Sequence, residues 1–122
     1  MRLVYVAGPF RGDVPRNVET ALAWGRRVVR AGALAVVPHL LGREFGPVRP
    51  DETWWLKAKL ELLRRCDGVL LIPGWERSSG SVNERNEALR LNLPVFDCGA
   101  RDWTLDTVAE LDRFEAWCRG GP

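Results

Sequence analysis

Residues 68–91 read GVLLIPGWERSSGSVNERNEALRL, and three kinds of sequence follow one another within them. Gly68 to Ile72 is an apolar run of strand length. Pro73-Gly74 stops it and opens the polar loop WERSSGS. From about Val82 to Leu91 the residues predict a helix. A strand, a loop holding serines and glycines, and a helix in this order form half of a βα repeat.

The flanking sequence repeats the alternation. Upstream, Leu3 to Ala7 is a short apolar run ended by Gly8-Pro9. Arg16 to Ala31 has helical periodicity, with Val18, Ala21, Leu22, Val28 and Val29 near one face. Pro15 suits its first turn and Gly32 its C-terminal cap. Leu34 to Val37 predicts a second strand, stopped by Pro38. Residues 40–51, LLGREFGPVRPD, predict a long loop, and Glu52 to Arg65 a helix with Trp55, Leu56, Leu60 and Leu63 inward. Downstream, Pro94 to Phe96 predicts a short strand and Leu105 to Trp117 a last helix. The order β-α-β-α-β-α-β-α predicts an α/β fold: a parallel sheet of four to five strands with helices on both faces, in one domain spanning residues 1–122. Such sheets bind ligands beyond the carboxyl ends of their strands. Residues 8–14, 38–50 and 73–81 fall at that edge.

Composition narrows the function classes. The chain has 122 residues, 46% apolar and 28% charged, as one globular core requires. The net charge of +2 is spread without a basic block, which argues against a nucleic-acid polymer or a membrane surface as partner. Cys66, Cys98 and Cys118 are odd in number and lack CxxC spacing, so neither a disulfide framework nor a zinc site is expected. A reducing, cytoplasmic compartment fits this usage. The six tryptophans are many for this length. Trp24, Trp54, Trp55, Trp103 and Trp117 suit either a subunit interface or core packing.

Two loops carry candidate chemistry. In the first, Gly8 and Gly12 let backbone N–H groups approach an anion at a helix start, Arg11 suits a phosphate, and Phe10 suits a base or sugar. The other reading is a tight turn with a surface arginine. In the later loop, Ser78, Ser79 and Gly80 offer hydroxyls and amides just before a helix. Glu84, placed in that helix's first turn, is positioned to attack an electrophilic carbon. Ser81-Val82-Asn83-Glu84 also matches a capping box, which would engage Glu84 with backbone amides. Trp75 lines a pocket or covers the core, and His39 is a pocket group or a structural hydrogen-bonder.

Tyr5-Val6-Ala7-Gly8-Pro9-Phe10, together with Leu70 to Glu76, Ser78-Ser79-Gly80 and Glu84, resembles the nucleoside 2-deoxyribosyltransferase-like superfamily over roughly residues 3–97. That family includes deoxyribosyltransferases and nucleoside 5′-monophosphate N-glycosidases. The resemblance implies a doubly wound, flavodoxin- or Rossmann-like sheet and a homodimer or larger assembly; no cofactor or metal is expected. It implies Glu84 as nucleophile, four residues after Gly80, and Ser78 as a phosphate ligand in the manner of the monophosphate-cleaving branch. Arg11 matches an arginine of the hydrolases' first loop. Lys59, eight residues before Asp67, stands where the family carries a second catalytic aspartate. Asp67 itself is expected to bind backbone or a helix end.

The expected function is thus binding of a nucleotide or nucleoside and cleavage or transfer at its N-glycosidic bond. Glu84 is the catalytic candidate. Tyr5, Gly8, Pro9, Phe10, Arg11, Gly12, His39, Lys59, Trp75, Ser78, Ser79 and Gly80 are the substrate-binding candidates. The alternatives are a deoxyribosyltransferase, a nucleotide-sensing module without catalysis, and a plain interaction domain.

Overall fold

A computed structural model describes residues 1–100 and 104–122. Its elements are β1 (Leu3–Ala7), α1 (Val14–Arg30), β2 (Leu34–Val36), α2 (Pro38–Phe45), α3 (Glu52–Arg64), β3 (Gly68–Leu71), a short 3-10 turn (Trp75–Arg77), α4 (Ser79–Arg90), β4 (Val95–Asp97) and α5 (Leu105–Cys118). The four strands form one sheet in the order β2-β1-β3-β4, all parallel. The chain is an α/β protein with a doubly wound, Rossmann-like sheet of four strands and helices on both faces.

Period-two alternation along the central strands divides the core. Val4, Val6, Leu70 and Ile72 pack with Val28 of α1 and with Leu111, Phe114 and Trp117 of α5. Tyr5, Ala7, Val69 and Leu71 pack with Leu63 of α3 and Ala88 of α4 on the other face. Tyr5 is fully buried there. Asp67 joins β3 to β1, its carboxylate accepting the Leu3 amide at 2.7 Å.

Ala7 of β1 lies opposite Leu71 of β3. From β1 the chain leaves toward β2, and from β3 toward β4, on the other side of the sheet. The carboxyl ends of β1 and β3 therefore flank the topological switch point, where this architecture opens a crevice.

Three expectations need correction. Residues 38–45 are not loop but helix α2. Pro38 occupies its first turn, where a missing N–H costs nothing, so the proline that ends β2 also starts a helix. Helix α4 begins at Ser79, three residues before the expected Val82, because Ser78 caps it by accepting the Ser81 amide at 3.3 Å. Trp55 and Leu56 are not core: Leu56 is 39% exposed, and the Trp55 indole N–H donates to the Arg49 carbonyl at 2.7 Å. Of the tryptophans weighed as an interface, Trp117 is buried and Trp24 packs against the same core. Trp54 is partly exposed, and Trp103 lies outside the described residues. Among the described residues, no helix is long and apolar enough to cross a membrane.

Candidate functional site

The loops after β1 and β3 are pressed together by glycines. A Cβ on Gly8 would stand 2.3 Å from Ile72 Cγ1. Gly74 has φ +91°, and a Cβ there would stand 2.9 Å from the Pro9 ring. Only hydrogen at these places lets the loops meet at the switch point.

The first loop is left with donors. The Gly8 carbonyl is held by His39 Nε2 at 3.1 Å. The side-chain amide of Asn17, on α1, donates to the carbonyls of Phe10 at 3.1 Å and Arg11 at 3.0 Å. The Gly12 carbonyl takes the Val14 amide at 3.0 Å. The amides of residues 10–12 have no partner among the described residues. With acceptors tied back and donors free, the loop suits an anion.

Facing it is the start of α4, where the amides of Ser79 and Gly80 are likewise unpartnered among the described residues. The Ser78 hydroxyl oxygen accepts from the Ser81 amide and from the Ser81 hydroxyl at 3.0 Å. Its own proton remains available to a ligand. A Cβ on Gly80 would meet nothing within 4 Å, so that side of α4 is open space.

Between these loops and α3 lies a cleft of about 470 Å³. Gly8, Pro9, Phe10, Arg11, Lys59, Ser78, Ser79, Gly80 and Glu84, all expected from sequence, line it. Glu84 is 5% exposed and accepts a hydrogen bond from the Tyr5 hydroxyl. It stands in the second turn of α4, bonded to the sheet and not to its own helix start, so Ser81 and Glu84 do not form a capping box. Burial pushes the Glu84 carboxyl up from its ordinary value to about 7, against the opposing pull of the Tyr5 hydrogen bond and the Lys59 charge. Tyr5, buried and beside that carboxylate, is raised well above the usual phenol value. Lys59 is lowered, first by burial; Glu84 opposes the shift and Arg11 adds to it.

Other expected residues lie elsewhere. Tyr5 lies behind the wall, fully buried, and meets the cleft only through its bond to Glu84. Gly12 has φ +97° and turns the first loop into α1 without lining the cleft. His39 is buried in α2, outside the lining, with Nδ1 unpartnered among the described residues; burial lowers its pKa to about 4 and leaves a neutral ring. Trp75 turns away from the cleft: its indole N–H donates to Asp97 at 3.1 Å, and Gly99 packs on its ring.

Sequence reasoning missed Glu52, Thr53, Trp55 and Leu56 on the α3 wall, and Arg77, Ser81 and Asn83 on the α4 side. The signal for the first group was the helical spacing 52, 55, 56, 59, which extends the face of Lys59 backwards by two turns. Arg11 pairs with Glu52 at 3.1 Å across the cleft mouth; both are mostly exposed, so the pair is weak. Arg77 has no ion pair among the described residues.

A family match spans all of these positions. The chain belongs to the family described as Domain of unknown function (DUF7768), matched over residues 2–98. No curated protein matches it. The DUF7768 match contains both loops, the whole cleft lining and all four strands, and stops before α5.

Proposed function

We propose that the cleft binds a nucleoside 5′-monophosphate and breaks its N-glycosidic bond, with Glu84 as nucleophile. The observation that carries this reading is a buried carboxyl in the wall of a cleft whose two rims present unpartnered main-chain donors. Donors without acceptors select an anion, and the phosphate lies between residues 10–12 and 78–80, with Arg11 and Arg77 at the mouth. The sugar then lies over Glu84 and the base against Phe10, Trp55 and Leu56.

The Glu84 carboxylate attacks C1′, the bond to the base breaks, and a glycosyl ester forms on the enzyme. Water, or an acceptor base in a transferase, resolves the ester. Anchoring the phosphate fixes C1′ against the carboxylate and removes much of the entropic part of the barrier. The Tyr5 hydroxyl orients the attacking group. The reading agrees with the resemblance to nucleoside 2-deoxyribosyltransferase-like proteins, in which Glu84, Ser78 and Arg11 have counterparts.

Incubation with mixed nucleoside 5′-monophosphates, followed by chromatography, should reveal free base. Glu84→Gln should abolish its release while retaining the fold and nucleotide binding. Undiminished release by that variant would remove Glu84 from the chemistry. One observation favours a binding-only reading: Lys59 stands in the cleft where the resemblance implies an acid. Tight binding by wild type with no base released would favour that alternative.

A further inference from the structure

The two walls of the cleft differ chemically. The α4 wall offers hydroxyls and main-chain N–H groups, as an anion requires. The α3 wall offers Trp55 and Leu56, with Phe10 beside them, Glu52 and Thr53 toward the helix start, and one cation, Lys59. The Lys59 ammonium stands 5.4 Å from the centre of the Phe10 ring. No hydrogen bond or ion pair with a described residue holds it. It is a half-buried donor group without an acceptor, on the wall suited to a flat base.

Resting on the nucleotide reading above, we propose that Lys59 selects nucleotides whose base carries an oxo oxygen, not an amino group, at the edge facing α3, and stabilises that base as it departs. Lysine has three N–H donors and no acceptor. An oxo oxygen at that edge accepts from it, whereas an amino group sets donors against donors and leaves both unpaired.

The same contact assists departure. As Glu84 bonds to C1′, the electron pair of the broken C1′–N bond passes into the base, and an oxo oxygen takes much of the negative charge. An ammonium at that oxygen stabilises the anion without giving up its proton. Solvent protonates the base after release. A lysine at this position thus changes which base can leave, where an acid would serve by donating a proton.

Isothermal titration should compare inosine with adenosine 5′-monophosphate, and uridine with cytidine 5′-monophosphate. Each pair exchanges oxo for amino at one ring carbon and, with it, an N–H for a lone pair at the neighbouring ring nitrogen, so the preference reads the exocyclic atom only if Lys59 faces that atom and not the ring nitrogen. Wild type should bind the oxo member of at least one pair roughly tenfold or more tightly. Lys59→Met should remove the preference, and Lys59→Gln, which both donates and accepts, should also level it. Melting curves check that each variant is folded, and either variant alone suffices for the comparison. Equal binding of oxo and amino members by wild type overturns the inference while the nucleotide reading stands. So does a preference that persists in the variants, or a uniform loss of affinity with unchanged ratios, which would place Lys59 at the phosphate. A folded wild type that binds none of the four overturns both.

Discussion

Glu84 illustrates how burial and chemistry oppose each other at one residue. Its carboxyl is almost sealed from water, and its pKa of about 7 lies above that of the unfolded chain. Between the two values the folded state holds a proton that the unfolded state has lost. Stability from this group is therefore fully present at low pH and is lost as pH rises to about 7. Glu84→Gln keeps an acceptor for Tyr5 and removes the charge, so at pH 8 it should be more stable than wild type by roughly 3 kcal/mol, shrinking toward zero near pH 4. Urea melts at the two pH values check this; equal stability at pH 8 would mean that Glu84 ionises without cost. His39, depressed to about 4, acts in the opposite sense: its contribution is lost as pH falls through that value. The difference between wild type and variant cancels it. A nucleophile must be ionised, so kcat/KM for base release, which reports the free enzyme, should rise with pH and level off above about 7. Tyr5→Phe removes a hydrogen bond that lowers the Glu84 pKa, so the rise should move to higher pH, read from initial rates across a buffer series.

Among the elements, those with a clean period were legible in the sequence. β1, β3, α1 and α5 follow from apolar runs or helical spacing. Helix α2 did not, because Pro38, Gly42 and Gly46 each read as a loop signal. The fold uses Pro38 as a helix start and Gly42 as the place where the Phe10 ring packs, with a Cβ there only 3.1 Å from the Phe10 Cζ. The start of α4 was missed because Ser79 and Gly80 are weak helix formers; the cap at Ser78 and the docking of α4 on the sheet override that weakness. Glu84 and the two loops were legible by residue type, but Asn17, which sets the first loop's polarity, gave no local signal. Two glycine substitutions separate structural from ligand roles. Gly8→Ala drives a methyl into Ile72 and should cost about 1–3 kcal/mol. Gly80→Ala meets nothing in the protein and should leave the melting temperature unchanged or slightly raised, yet weaken nucleotide binding, as titration would show. Unaltered affinity would place the phosphate elsewhere.

At the scale of the whole molecule, strand order fixes where a cleft can open. A sheet ordered β2-β1-β3-β4 separates the departing chain at β1 and β3, and the glycines after both strands close the gap to a cleft with anion donors on two rims. One face of the sheet supplies Tyr5, the helix laid on it supplies Glu84, and their contact aims a buried acid at the cleft. A ligand that binds only this folded arrangement must raise its melting temperature, by an amount that grows with concentration above Kd. The stereochemistry at C1′ reports on the covalent step. Two displacements through a Glu84 ester retain configuration, whereas one direct displacement inverts it. Proton NMR of the methyl glycoside formed when base is released from a nucleoside 5′-monophosphate in dilute methanol should show the β anomer, as in the substrate. An α anomer, or no release of base from any nucleotide the protein binds, would contradict the assignment of Glu84 as nucleophile.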